Sequence, residues 1–475
     1  MTALLALFFT LLAVQWNLVQ SSSTIRRPNT AHLPFNTTKL AHDPRPAPAY
    51  MVDNQHNYYK TAPDKGRQNG PVWSYSGSLD TYLANLQGGV VVRGGYVGSN
   101  NTKMTSLKSA GRKRQQSSDF WLSSLGPLGS QPFAGGDNYQ FFRNVVDDFG
   151  ADSSGETDTA EALSAASASW NKDSVGGSRT RCGEKCGNTF SQGAIVFFPG
   201  GTYKICTPVI QYYHTQFVGD PNDMPVIKGC DDFQGIALFD VDPYIPGSSG
   251  QQWYINQNQF FRQIRNFRFD LRDMPESTAD NNQDLVPTGI HWQVSQATSL
   301  QNLVFDMPST STTTAVGIFT ENGSGGFLSD LEFNGGNIGW RAGSQQYTAR
   351  NLIFNECNTA VQMVWDWGWN WQQITVNGGS IGFNISGVGG DSGQGIGSVS
   401  IIDSTISDVE VGVLTNGLST SPNIVLDKTN FRNVPSPVMA EGGNVILSGN
   451  SDLWATGKRF NGSDGSTETG PVTAP

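Results

Sequence analysis

The chain has 475 residues, enough for a large core or for two domains. Charged residues make up 15% of it, below the roughly 25% of an average globular protein, while its 55 glycines exceed the usual ~7%. A net charge of −10 with no basic stripe argues against nucleic acid as a partner and favours a neutral or cationic ligand.

Residues 3–15 form an apolar run, followed by Ser21, Ser22 and Ser23. This reads as a secretory signal peptide over residues 1–23, although no Lys or Arg precedes the run. The run is short for a membrane span, and no later segment approaches 18 apolar residues. The expectation is a secreted, extracellular or wall-associated chain with no membrane contact. Residues 24–118 are rich in Pro, Gly, Asn, Ser and basic residues and read as poorly ordered. They end near Gly111-Arg-Lys-Arg114, either a processing site or a solvated basic turn. Order is expected to begin at Phe120-Trp121-Leu122.

A short strand at Val145 meets a Gly turn, and an Ala-rich helix follows from about Thr159 to Trp170, with Thr157 or Asp158 as N-cap. Such a helix can plug the open end of a solenoid and hide its first strand edge. Two strands then flank the Pro199-Gly200-Gly201 corner. Coils are expected to continue to about residue 449. The Gly/Ser/Thr-rich tail 450–475 reads as a linker.

Five segments begin at Ile264, Leu300, Leu328, Ala349 and Trp371 and share one pattern. Apolar residues occupy positions one, four and six, and position three is Asn266, Asn302, Asp330, Asn351 or Gln373. Those third positions are 36, 28, 21 and 22 residues apart. A basal period near 21 with insertions means stacked coils, and a strand period within each coil means a parallel β-helix. The third-position amides are expected to point inward and hydrogen-bond along the stack.

Cys182 and Cys186 lie in a Gly-rich loop and read as a small-loop disulfide rather than half a zinc site. Cys206 and Cys230, 24 apart, could bridge neighbouring coils, leaving Cys357 as a buried thiol. Sequons at Asn36, Asn100, Asn322, Asn384 and Asn461 fit secretion from a eukaryote, with Asn322 the most crowded.

The Asp-Asp, Gly-His-Gly and Arg-x-Lys set of a polygalacturonase is absent, and no Asp cluster for a Ca²⁺-dependent lyase stands out. No metal or cofactor is expected. Asp240 and Asp242 share a strand face, either as a sugar or Ca²⁺ site or as turn and surface carboxylates. Trp365, Trp367, Trp369 and Trp371 alternate, which on a strand gives one aromatic face for core packing or for sugar stacking. His291 and Gln293 share a face, and Gln296 joins them only if the chain bends after Val294. Ser324 follows in a Gly-rich corner one coil later. These polar groups either hold a water or sugar hydroxyl or form a ladder without a ligand.

The chain from about 119 to 460 resembles fungal glycoside hydrolase family 55, the exo-β-1,3-glucanases of the pectate-lyase-like superfamily. The resemblance rests on Asp148-Phe-Gly-Ala151, Phe198-Pro-Gly-Gly-Thr-Tyr203, Gly289-Ile-His-Trp-Gln-Val-Ser-Gln-Ala-Thr-Ser-Leu-Gln-Asn302, Glu321-Asn-Gly-Ser-Gly-Gly326, Phe333-Asn-Gly-Gly-Asn-Ile-Gly339 and Trp365-Asp-Trp-Gly-Trp369. The first corner, Asp152-Ser-Ser-Gly-Glu-Thr-Asp158, departs from the family's Gly-Asp-Gly-x-Thr-Asp-Asp. The resemblance implies an all-β, right-handed parallel β-helix over residues 119–449 with an N-terminal capping helix. It also implies an inverting β-1,3-glucan hydrolase whose catalytic Glu lies on a second β-helix, expected to be missing from this chain. Inversion needs a proton donor on the leaving oxygen and a second group that activates water on the opposite face, the two groups roughly 6.5–9.5 Å apart where both are carboxyls. By motif match, Gln296 and Ser324 position the water, and Gln293, Trp365, Trp367 and Trp369 bind sugar. A non-catalytic glucan-binding or wall protein and a pectin-type lyase are the alternatives.

Overall fold

The computed structural model describes residues 120–124, 138–174, 181, 192–244, 252, 254, 259–278, 285–387, 395–416, 422–461 and 464–472. The expected signal peptide, residues 24–118, the Cys182 and Cys186 loop and the sequons at Asn36 and Asn100 lie outside them.

The described chain winds as a parallel β-helix. In the coil beginning at Gly326, the strand Gly326–Asn334 passes through a left-handed residue at Asp330 (φ 60°), turns at Gly335 and Gly336, and continues as Ile338–Gly343. Successive coils pair in parallel, Leu303 against Leu331, Leu331 against Leu352, and Leu352 against Ile374. The second sheet stacks Ile290, Ile318, Trp340, Val361 and Phe383 in the same way. Positions one, four and six of the five segments are buried, as the pattern predicts. Position six forms a column of stacked rings, Phe269, Phe305, Phe333 and Phe354, with centroids 5.0, 4.9 and 4.6 Å apart and planes within 9° of parallel.

The third positions do not point inward. All five have φ between 52° and 64°. That left-handed residue bends the strand and resets its alternation, turning the side chain to the outside. The bonds predicted along the stack are present there: Asn302 Nδ2 donates to Asn266 Oδ1 at 2.9 Å and Asn351 Nδ2 to Asp330 Oδ1 at 2.7 Å. A second external ladder joins Asp306, Asn334, Asn355 and Asn377.

The helix spans Ala160–Ala168, shorter than expected. Thr159 is its N-cap residue, but the expected capper Asp158 accepts the Ala160 N–H at 3.1 Å. The far end is fixed by the buried Arg143, whose guanidinium donates to the carbonyls of Ala166, Ser169 and Trp170. A cation on the terminal carbonyls complements the helix dipole and ends the helix there. Ala160, Leu163 and Ala166 join the core of the solenoid. Cys206 and Cys230 form a disulfide between adjacent coils, and Cys357 is a buried free thiol.

The tail is not a linker. Leu453–Asn461 and Asp464–Pro471 pair as an antiparallel hairpin, and the first of these lies antiparallel against Asn423–Asp427. Trp454 is buried and anchors it, in a polar stretch whose composition masks the strand.

Candidate functional site

Parallel stacking in the second sheet sets Asp240, His291 and Phe319 side by side. Ile290 points into the core, so His291 points out, yet it is fully buried. Its Nδ1 lies 2.8 Å from Asp240 Oδ1 and its Nε2 3.2 Å from Glu321 Oε2. The imidazolium is the form that donates to both carboxylates. Burial opposes that charge, but Asp240 and Glu321 together outweigh it and lift His291 to about 10. Glu321 Oε2 also accepts from Tyr244 Oη and Gln293 Nε2, each at 2.7 Å. The Tyr244 and Phe319 rings both stack on the imidazole, with centroids 6.0 and 5.6 Å away. The Arg341 guanidinium sits over the other face of Phe319, 4.8 Å from its centroid.

Asp240 and Asp242 are therefore not surface carboxylates. Asp240 accepts the Asp242 N–H while facing His291, and Asp242 accepts the Tyr254 N–H. Asp242 is fully buried, and burial raises its pKa well above the carboxylate range. The apolar residues that flank the pair in sequence place it inside rather than on a turn.

Gln296 does not join this cluster. The chain leaves the sheet at His291, meets the next coil through the Val294–Gly323 bridge and turns at Ala297 (φ 60°). Gln296 is exposed on that shoulder. Backbone bonds continue the corner from coil to coil: Ser324 N–H to Val294 O, Gln345 N–H to Gly323 O, and Trp367 N–H to Gln345 O. The corner thus continues from Val294 through Ser324 and Gln345, both buried, to Trp367, with Gln296 on the shoulder beside its first turn. Gln346 Nε2 holds the Ser324 carbonyl at 2.8 Å.

The structure divides the expected site residues. Ser324 and Trp367 lie along that corner, Ser324 buried and Trp367 exposed, and Gln296 is exposed on the shoulder before it. Gln293 is fully buried behind it, engaged by Glu321 and Tyr244, so a direct sugar contact is excluded there. The tryptophans do not share a face, because the strand Thr359–Trp365 ends and Gly368–Asn377 begins, with Trp367 on the corner between them. Trp367 is 53% exposed, whereas Trp365, Trp369 and Trp371 are buried. The indole N–H of Trp365 donates to Glu321 O and that of Trp369 to Ser344 O, each at 3.0 Å. Asn322, also a sequon, is fully buried and closed to modification as folded. Tyr244, Glu321, Gln345 and Gln346 were missed. Glu321 opens the motif Glu321-Asn-Gly-Ser-Gly-Gly326, and its place in that motif is the signal in sequence that marks it.

Gly323 fixes the corner. Its φ is 135°, and a methyl on its Cα would run into the Val294 carbonyl oxygen. Gly323→Ala is expected to cost about 1–3 kcal/mol. Gly368→Ala, where the nearest heavy atom lies 3.8 Å away, should be close to neutral. Denaturant midpoints of the two variants check this.

Residues 142–384 match the family described as rhamnogalacturonase A/epimerase, pectate lyase-like. The chain belongs to that family. Among relatives of this pectate lyase-like chain is a probable glucan endo-1,3-beta-glucosidase of Arthroderma benhamiae, 42% identical over 361 residues, which cover 74% of this chain and 39% of that protein. A glucan 1,3-beta-glucosidase of Cochliobolus carbonum is 34% identical over 76% of this chain and 44% of its own length. The non-secreted LysM effector LysM19 of Penicillium expansum is 38% identical over 76% of this chain and 28% of its own length. The pectate lyase-like chain spans less than half the length of each of these relatives.

Proposed function

We propose that this chain acts on β-1,3-glucan as a glycoside hydrolase of the inverting, exo-acting kind, with the corner as its sugar-facing surface. The observation that carries the reading is the continuous corner that runs from Val294, close to the exposed Gln296, through Ser324 and Gln345 to the exposed Trp367. The names of the Arthroderma and Cochliobolus relatives support it. In this reading the Gln296 amide and the Ser324 hydroxyl hold the attacking water by hydrogen bonds, and Trp367 offers a flat apolar face to a glucosyl ring. Neither Gln nor Ser is a strong base, so both orient the water rather than deprotonate it. None of Gln296, Ser324, Gln345 and Trp367 is a carboxylate, so the proton donor faces them from elsewhere. A second β-helix in that position is the arrangement that the family 55 resemblance implies.

The same lack of a carboxylate favours a second reading, a β-helix that holds glucan without cleaving it. Incubation with laminarin, with NMR following the product anomer before mutarotation, separates the two. Release of α-glucose supports inversion. Saturable laminarin binding with no glucose favours the second reading. In a form that hydrolyses laminarin, Gln296→Ala is expected to lower kcat by about 10²-fold or more without changing the melting temperature. Unchanged kcat would remove Gln296 from the chemistry.

We also propose secretion. The apolar run at residues 3–15 and the Cys206–Cys230 disulfide support it, since such bonds persist in oxidising compartments. A relative whose name reads non-secreted makes culture-medium fractionation the direct check.

A further inference from the structure

We propose that Glu321 is the positioning residue that sets the Ser324 corner, held in place by Tyr244, Gln293 and the His291–Asp240 pair. As an account of catalysis this rests on the reading just given. As an account of the corner it stands on geometry alone. Glu321 is fully buried and ends the run of the strand Val316–Thr320. One carboxylate oxygen gathers three donors from two earlier coils: Tyr244 Oη, Gln293 Nε2 and His291 Nε2. Its backbone carbonyl is held from a later coil by the indole of Trp365. The residue is thus tied on both sides along the solenoid axis.

The chain then reaches Ser324 in three steps, through Asn322 and Gly323. Gly323 has a left-handed backbone packed against the Val294 carbonyl. The Ser324 N–H donates to that carbonyl, and Gln346 holds the Ser324 carbonyl. With its entry fixed by Glu321 and its exit by Gln346, the corner has little freedom to move the Ser324 hydroxyl relative to Gln296. Such a tie matters for chemistry because a small misplacement of a water-orienting group is costly in rate.

The charges facing His291 complete the device. Asp240 lies on one ring nitrogen and Glu321 on the other, with Tyr244 and Phe319 over the ring faces, Asp242 close behind Asp240 and Arg341 beyond Phe319. A carboxylate at 321 keeps the imidazolium paired. An amide there presents no charge and leaves the buried imidazolium short of one partner.

Amide hydrogen exchange on wild type, Glu321→Gln and Tyr244→Phe tests this without requiring activity. The expected result is exchange about tenfold faster or more at the Ser324 and Gln345 amides in Glu321→Gln, with Leu303, Leu331 and Leu352 unchanged. Tyr244→Phe, which removes one donor and keeps the shape, should give a smaller change at the same two amides, and it decides the matter if Glu321→Gln fails to fold. Unchanged exchange at Ser324, or an equal rise at all five amides, would overturn the proposal, because a polar core residue with no positioning role gives one or the other. Where wild type releases glucose from laminarin, Glu321→Gln should lower kcat at least tenfold and leave KM within about threefold. A rise in KM alone, with kcat unchanged, would count against positioning. A wild type that releases no glucose defeats the hydrolase reading and leaves the exchange result to decide the corner.

Discussion

Phe333→Ala is expected to lower the free energy of unfolding by about 3–5 kcal/mol, the range for a large aromatic removed from a packed core. Phe333 is fully buried, with Phe305 stacked on one face and Phe354 on the other. Truncation removes its own buried area and strips one face from each neighbour. Relaxation can recover little of that loss, because the coil spacing is fixed by backbone ladders on both sides of residue 333. Phe354→Leu keeps most of the volume and should cost less than half as much. Guanidinium unfolding followed by far-ultraviolet circular dichroism measures both. A loss under 1 kcal/mol for Phe333→Ala would mean that the column is not what joins the coils.

The second large effect is on pH. His291 is raised from 6.5 to about 10 in the folded chain. A raised folded pKa contributes stability that is fully present below the unfolded value and lost as pH rises through the folded one. The loss from this group therefore falls between pH 6.5 and about 10 and is on the order of a few kcal/mol. Asp366 has the same sign in a lower window: burial lifts it from 3.8 to about 7, against the pull of backbone N–H donors from Gly397, Ser398 and Trp369. Arg143, depressed to about 9 chiefly by burial, acts in the opposite sense only above that pH. Stability measured at pH 6 should exceed that at pH 9, and the gap should shrink in His291→Gln. An equal gap in both proteins would assign the alkaline loss to other groups.

The stacking of coils was legible in the sequence because positions one, four and six fall inside whatever the corner geometry, and each is apolar in all five segments. The direction of position three was not. Period-two reasoning assumes an unbroken strand, and Asn266, Asn302, Asp330, Asn351 and Gln373 sit where it breaks, with left-handed backbone. Asn and Asp tolerate that conformation better than most residues, which is the signal that could have placed them at a bend. The tryptophan run failed for the same reason: Trp367 falls at a corner, so alternation on either side of it no longer describes one face. At the site, motif resemblance pointed to Gln296 and Ser324, which fall on neighbouring coils of the corner that starts at Val294. The cluster behind them was hidden because its members come from three coils and are far apart in sequence. Tyr244 and Glu321 are 77 residues apart, and no local pattern links them.

The antiparallel strands at the end of the array carry a consequence for assembly. A parallel solenoid is a self-template, since the exposed edge of its last rung matches the first rung of another copy. Here antiparallel strands follow the parallel ladders in both sheets. Leu453–Asn461 runs against Asn423–Asp427, and Val445–Leu447 runs against Ser436–Ala440. On the sheet of Ser436–Ala440 the added strand presents an edge of reversed polarity, whereas on the other sheet the outer strand Asp464–Pro471 of the hairpin runs back in the direction of the coils. Where the polarity is reversed, at Val445–Leu447, a parallel rung does not find the edge it would match, and head-to-tail stacking on that sheet is hindered.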